Sequence, residues 1–450
     1  MVIAAGEEML VLADRLLGFA AAEGASQAEV LVDADESALT RFANSEIHQN
    51  VATLDRRLSL RFVDGRRVGC AATNRLDEAS LRRLAASAAR TARLQPELEE
   101  AVELPEPGPI TPVAGAYSPG TASTSPEMRA AAAREVIAAA DAAGVLAYGS
   151  LATHLERVGI VNSKGVRAFE ERTWAQLITV CMGPDGEAGY AEADAVDVTT
   201  IDAAAVGREA ASKARHSRGA VAVEPGDYPV VLEEYAVADV LDTLGYIGFS
   251  ALAVQEGRSF HEAGRVVGSE LVTIVDDARD PAGMPASFDY EGVAKERVTL
   301  IERGVCRDVV YDAQTAARAG RRSTGHGLPA PNPWGPFPLN QLMAAGETPR
   351  DDLVAGLDRG LLVTRFHYTN TVHPKLAIIT GMTRDGLFLV EDGRVVGPVR
   401  NLRFTQSYLA ALAGVEAVSR ERRLLRGYLG PVVVPALRLS AFTFTGATEH

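Results

Sequence analysis

Cysteine is scarce in this 450-residue chain: Cys70, Cys181 and Cys306 lie far apart, odd in number and without a Cys-x-x-Cys pair. That excludes a disulfide scaffold and a zinc ribbon, and it fits a reducing compartment. No apolar run approaches the ~18 residues a membrane-spanning helix needs. The opening MVIAAGEEML carries two glutamates where a secretory signal needs positive charge, so a soluble, cytoplasmic protein is expected. Cations are outnumbered, with 45 Lys and Arg against 59 Asp and Glu and a net charge of −14. Such a chain repels phosphate backbones unless a basic patch compensates. Only short Arg clusters such as 420–426 occur, and these read as the solvated face of a terminal helix. Neither a nucleic acid nor a membrane is expected as a partner. A Gly-x-Ser-x-Gly elbow, a P-loop and a dinucleotide fingerprint are all missing, which removes the chemistries they serve.

What is present is a globular balance, 47% hydrophobic and 23% charged, over a length sufficient for two or three domains. The first part is written twice. An amphipathic helix over 7–22, with Leu10, Ala13, Leu17 and Ala20 on one face, ends at Gly24. Strand-like AEVLVDA and ALTRFANSEI follow, then a hairpin turning at Asp64-Gly65 and a helix starting at the 77–80 cap. Ser125-Pro126 starts the same order again. Gly24 recurs as Gly144, Asn44-Ser45 as Asn162-Ser163 and Asp64-Gly65 as Asp185-Gly186, offsets of 120, 118 and 121 residues. The expected fold class is α+β. A duplicated helix–sheet region, 1–220, has units at about 1–102 and 125–220 joined by a Pro/Gly/Ser-rich linker, 103–124. A β-rich, barrel-like domain, 221–450, follows.

Candidate chemistry is sparse. His261-Glu262 opens a metal-type dipeptide, but Arg265 and Val266 stand where a second histidine would complete it. His367 and His373 share a strand face, though about 20 Å apart if the strand stays extended. His326 sits in the small-residue turn STGHG and reads first as a solvated turn residue, with backbone amides that suit an anion. The three cysteines read as buried structural residues. Asp276, Asp277 and Asp280 read as an end-of-strand turn.

The stretch SELVTIVDDARDPAGMPASFDYEGVAKERVTLIERGVCRDVVYDAQTAARAGRRSTGHG changes this picture. With SELVTIVDD, SFDYEGV, the IERGV hairpin and STGHG, it resembles the signature region of the TldD/PmbA (TldE) metallopeptidase family. LAIITGMTRDGLFLVEDGRVVGPVRNLRF is similar to that family's ITG…FLIENG…GPV element, and with the helix–sheet front half the resemblance spans nearly the whole chain. TldD-type members carry His-Glu-x-x-x-His on a helix before SELVTIVDD, and a third zinc ligand near the C-terminus. TldE-type members keep the fold, lack those ligands and pair with TldD. Here the matching helix is EEYAVADVLDTLGYIGF. Aligned on its VL step, Asp242 falls near the first histidine, Thr243 at the glutamate and Tyr246 at the second histidine. PALRLSAFTFTGATEH offers no Cys as third ligand.

The resemblance therefore implies a TldE-type subunit with no cofactor of its own. Zinc is expected in a TldD-type partner, and unfolded or ribosomally made precursor peptides are the expected substrates. Asp242, Tyr246 and His326 are the candidates for holding peptide, by strand addition. The family's older association with DNA gyrase modulation gains no support from the acidic charge. Two alternatives stay open: an autonomous metallopeptidase built from His261, Glu262, His326, His367 and His373, and a non-enzymatic peptide-binding homodimer.

Overall fold

A computed structural model describes residues 2–448. Its first half holds two copies of one helix–meander–helix unit. In the first copy α1 (Val2–Ala22) leads into β1 (Gln27–Ala43), β2 (Glu46–Asp64), β3 (Arg67–Thr73) and α2 (Glu78–Leu94). After a short helix α3 (Pro119–Ala122), the second copy runs α4 (Pro126–Ala143), β4 (Leu146–Asn162), β5 (Arg167–Met182), β6 (Ala188–Ala195) and α5 (Ala203–His216). Gly24 and Gly144 each take the left-handed conformation past the first helix, with φ of 93° and 70°. Asp77, Ser125 and Asp202 cap their helices by accepting from the amides of Ser80, Met128 and Ala205. Gly69 and Gly189, also 120 residues apart, have the same task. A Cβ on either would lie 2.1–2.2 Å from a backbone oxygen of the helix packed over it, Ala88 in one unit and Ala210 in the other.

AEVLVDA and ALTRFA form one continuous strand, β1. Asp35 and Glu36 between them do not break it, and pairing runs through both, Asp35 opposite Asp55 and Glu156, Glu36 opposite Leu54 and Leu155. β1 pairs antiparallel with β4, fusing the two meanders into one six-stranded sheet, β3-β2-β1-β4-β5-β6. The long helices share one face of it. α1 and α2 bury Ala13, Leu16, Leu84 and Ala88 against Val30, Val32, Leu58 and Leu60. α4 and α5 bury Ala133, Val136 and Ala210 against Phe42, Leu151 and Leu177. By strand alternation the opposite face presents Asp33, Asp35, His154, Glu156, Arg172, Trp174, Glu192 and Asp194.

The second half begins with β7 (Gly226–Leu232) and α6 (Glu234–Gly248). β8 (Ile274–Asp276), β9 (Val298–Glu302), β10 (Val305–Cys306) and β11 (Gln341–Met343) follow. The chain finishes with β12 (Arg359–His373), β13 (Ile378–Glu391), β14 (Arg394–Pro398), β15 (Leu402–Ser407), β16 (Val415–Arg426) and β17 (Pro431–Ala447). Strands β7, β12, β13, β15 and β17 pair in that order, and β17 pairs back onto β7 to close a ring. The barrel-like expectation is met. The rings of Phe366, Phe404 and Phe442 fill it, with centroids 4.7–5.3 Å apart. β11, β8, β9 and β10 extend the sheet outside the ring. The Arg-rich 420–426 segment is not a helix. It is the end of β16, paired with β17 at Arg423–Val434 and Leu425–Val432, with Leu425 buried. Among the described residues no helix is long and apolar enough to cross a membrane.

The two halves meet on the helix-free face. Leu31, Val158, Ile160 and Val166 there pack with Phe288. Beside them Arg61 lies between Glu29, at 3.7 Å, and Glu291, at 3.5 Å. Burial pushes Glu29 up to about 7 against the pull of Arg61, and it raises Glu291 as well. A carboxyl whose folded value lies above its unfolded one adds stability that is complete below the unfolded value, 4.5 for Glu29, and is lost as pH climbs past about 7. Thermal unfolding should therefore show stability falling between pH 5 and pH 8, by on the order of 2–3 kcal/mol for this group. Glu29→Gln should flatten that slope, and an unchanged slope in the variant would refute the assignment.

Candidate functional site

Helix α6 is almost wholly interior. Its Glu234 is buried and receives Arg350 through two bonds, Nε to Oε1 at 2.7 Å and Nη2 to Oε2 at 3.1 Å. Only Asp239, Asp242, Thr243 and Tyr246 escape full burial. Their spacing of three and four residues aligns them as one stripe along the helix. The stripe faces a cleft of about 660 Å³. The other walls are Tyr190 and Glu192 on β6, Arg365, Phe366 and residues 369–371 of β12, and residues 425–428 at the end of β16.

The acids of the stripe are occupied. Asp239 accepts from the hydroxyls of Thr369 and Tyr408, both at 2.7 Å, and burial raises its carboxyl. Asp242 accepts the backbone N–H groups of Tyr428 and Leu429, both at 2.9 Å. Burial pushes it up to about 6, opposed by those two bonds. Gly427 allows this approach, since a Cβ there would lie 2.8 Å from the Asp242 carboxylate. Tyr246 is 39% exposed, with its ring centroid 5.6 Å from that of Phe337. Across the cleft, Glu192 accepts from the Tyr190 hydroxyl at 2.5 Å and from Gln176 at 2.9 Å. Asp194 is raised by burial and by neighbouring Glu192. The Arg365 guanidinium lies 4.2 Å from the Tyr190 ring and pairs with Asp385.

β12 supplies an open edge. β7 pairs with it only at Leu361, Leu362 and Val363. Past Val363, where β12 lines the cleft, β13 is its only strand partner among the described residues. An unpaired strand edge is the kind of surface that an added strand can join.

The structure thus brings Asp242 and Tyr246 together in one cleft and leaves the histidines elsewhere. His326 is neither a solvated turn residue nor a cleft wall. It is 0% exposed, its Nε2 2.8 Å from Asp276 Oδ1 and its Nδ1 2.9 Å from Thr324 Oγ1. Burial and nearby Lys295 hold its pKa down. His261, near Phe249 and Asp308, follows α6 in a loop, with Glu262 exposed beside it. His367 stacks near Tyr368, and the Nδ1 of His373 accepts the Leu376 amide as the cap of a turn. His261, Glu262, His326, His367 and His373 therefore do not converge on one metal site: the first two lie in a loop after α6, His326 is buried on Asp276, and His367 and His373 lie on β12. Among the described residues no three His, Cys, Asp or Glu are placed to share a metal.

The α6 stripe does not fit zinc either. A catalytic zinc needs three ligands and an open position. The stripe offers two carboxylates, one already holding two hydroxyls and the other two amides, with a threonine hydroxyl and a phenol. A His-Glu-x-x-x-His frame ending on Tyr246 begins on Leu241, which is fully buried. Sequence inspection missed Tyr190, Glu192 and Asp194. The polar–small alternation of Tyr-Ala-Glu-Ala-Asp, with polar side chains all on one strand face, was the available signal.

Fold and cleft together define a two-part architecture, a helix-backed sheet joined to a closed ring of strands. Residues 225–446 match the PmbA/TldA metallopeptidase C-terminal domain, 28–92 match domain 1 and 120–218 match the central domain. The chain belongs to the TldD/PmbA metallopeptidase family. It is 27% identical over 170 residues to the "Metalloprotease TldD homolog" of Buchnera aphidicola, covering 36% of this chain and 34% of that one. It is 27% identical over 263 residues to the Haemophilus influenzae homolog, covering 55% and 54%. The chain thus spans about a third to a half of the length of these curated relatives. Among solved structures, TldE from Thermococcus kodakarensis superimposes with a TM-score of 0.86 at 20% identity, covering 97% of this chain and 100% of that one.

Asp242→Ala should free the Tyr428 and Leu429 amides and destabilise the chain by about 1–3 kcal/mol. Hydrogen exchange should quicken at those two amides first. Unchanged exchange there would show that Asp242 does not hold the segment.

Proposed function

We propose that this chain is the TldE-type subunit of a metallopeptidase pair and has no catalytic zinc of its own. Its cleft receives an extended stretch of an unfolded or precursor peptide, and a TldD-type partner supplies the zinc. The observation that carries this reading is the pairing, across one cleft, of an α6 stripe without a free metal-type ligand and an open β12 edge. An extended peptide gains affinity from main-chain bonds to such an edge, whatever its sequence. Arg365, Asn370 and Thr371 line this side of the cleft, with Tyr246 and the strongly exposed Tyr428 across it. Those aromatic rings offer contact area that tolerates many side chains.

Two measurements test the proposal together. Metal analysis of the purified, untagged chain should find zinc well below one per chain, and co-expression with a TldD-type chain should give a heteromer by light scattering. Peptide hydrolysis should then need both chains. One tightly bound zinc per chain, or a stable homodimer that ignores the TldD-type chain, would overturn it.

A further inference from the structure

We infer that a second cavity, between the helix-free sheet face and the segment around 284–295, is a binding site for a single carboxylate group. It measures about 120 Å³, room for several waters or one small carboxylate-bearing group. Arg172, Trp174, Asp289, Lys295, Asn340 and Arg426 line it. Arg426 also lines the peptide cleft, so the two cavities share a wall.

Donors and acceptors in this wall do not balance. Lys295 is 5% exposed and its Nζ makes no hydrogen bond. A buried ammonium with no acceptor is costly. The Arg426 guanidinium lies 3.8 Å from the Trp174 ring and donates only to the Met284 sulfur, at 3.8 Å. No carboxylate pairs with it among the described residues.

The acids that line the cavity, Asp289 and Glu156, and Asp276, which acts on Lys295, are already engaged. Asp276 takes His326 Nε2 on one oxygen and the Asn340 amide on the other, at 2.8 and 2.7 Å. Asp289 takes the amides of Glu291, Val293 and Gly327. Glu156 takes the Trp174 indole N–H at 2.6 Å. Arg172 is committed to Glu170 and to the Phe288 carbonyl.

What remains, among the described residues, is one ammonium without an acceptor and one guanidinium without an oxygen acceptor. A monoanion with two oxygens matches that pair. Asp276 and Asp289, both acting electrostatically on Lys295, oppose a dianion such as phosphate. Resting on the peptide reading above, the site holds either a peptide's terminal carboxylate or an acidic side chain.

The test uses the full chain in calorimetric and NMR titrations. The probes are sodium acetate, acetyl-Ala-Ala acid, the matching amide, and acetyl-Ala-Glu-Ala amide. The acid should bind more than about tenfold tighter than its amide. Lys295→Met should remove most of that preference and leave amide binding unchanged, and Arg426→Gln, which also touches the peptide cleft, should likewise lower the ratio of acid to amide affinity. If Lys295→Met fails to fold, Arg426→Gln at the end of its strand carries the test. Acetyl-Ala-Glu-Ala amide binding as well as the acid assigns the side chain, and weaker binding assigns the chain terminus; both support the site. Acid and amide binding equally would overturn the site and leave the peptide reading standing. Acetate shifts that vanish in both variants, with no peptide binding, would keep the site and sink the peptide reading. Variants that bind the acid as the parent does would refute the site outright.

Discussion

The six-stranded sheet has only one face that helices can cover, and what lies on the other face governs the rest of the molecule. Apolar residues there form a small patch, Leu31, Val158, Ile160 and Val166, which Phe288 seals. The remainder carries carboxylates, guanidinium groups and the stacked rings of His154 and Trp174, with centroids 3.7 Å apart. A polar face of this kind cannot be buried by simple apolar packing, because each charge removed from water requires a partner. The C-terminal half meets part of that demand, with Glu291 on Arg61 and Arg426 over Trp174. Where partners run out, the halves separate and leave cavities.

Asp242 shows how a position on a motif-bearing helix can be turned to another use. A carboxylate at the cleft wall has strong acceptor capacity whether or not a metal is near. Here it draws in two consecutive amides and fixes residues 427–430 as part of the wall. Asp239 plays the same part toward Thr369 and Tyr408, tying α6 to β12 and to the interior of the ring. The acids of α6 thus act as struts that shape a space.

Local chemistry was legible in the chain. Caps at Asp77, Ser125 and Asp202, and turns at Asn44-Ser45 and Asp64-Gly65, depend on neighbours a few residues away. The duplication followed from them. Gly69 and Gly189 were as regular in spacing, yet their reason is the helix lying over them, which no local pattern announces. The same limit explains the errors. STGHG looks like a solvated turn until Asp276, fifty residues earlier in the chain, is found beneath it. The arginines of 420–426 suit a helix surface equally well until β17 supplies the pairing. At the cleft, the stripe of Asp239, Asp242, Thr243 and Tyr246 was readable as a helix face. The partners that define what its acids do lie up to 187 residues away.

β17 pairs with β7, β11, β15 and β16. Every one of those strands leaves the ribosome before it. The N-terminal sheet contains no strand later than β6 and is free to assemble while translation continues. The ring has no such freedom, for Phe442 and Phe444 arrive with the strand that closes it. During that interval Phe366 and Phe404 have each other but lack the Phe442 ring that packs on both. The two halves of one polypeptide thus mature on different clocks, and the later half has the longer wait, open to chaperones and proteases, before its core is complete.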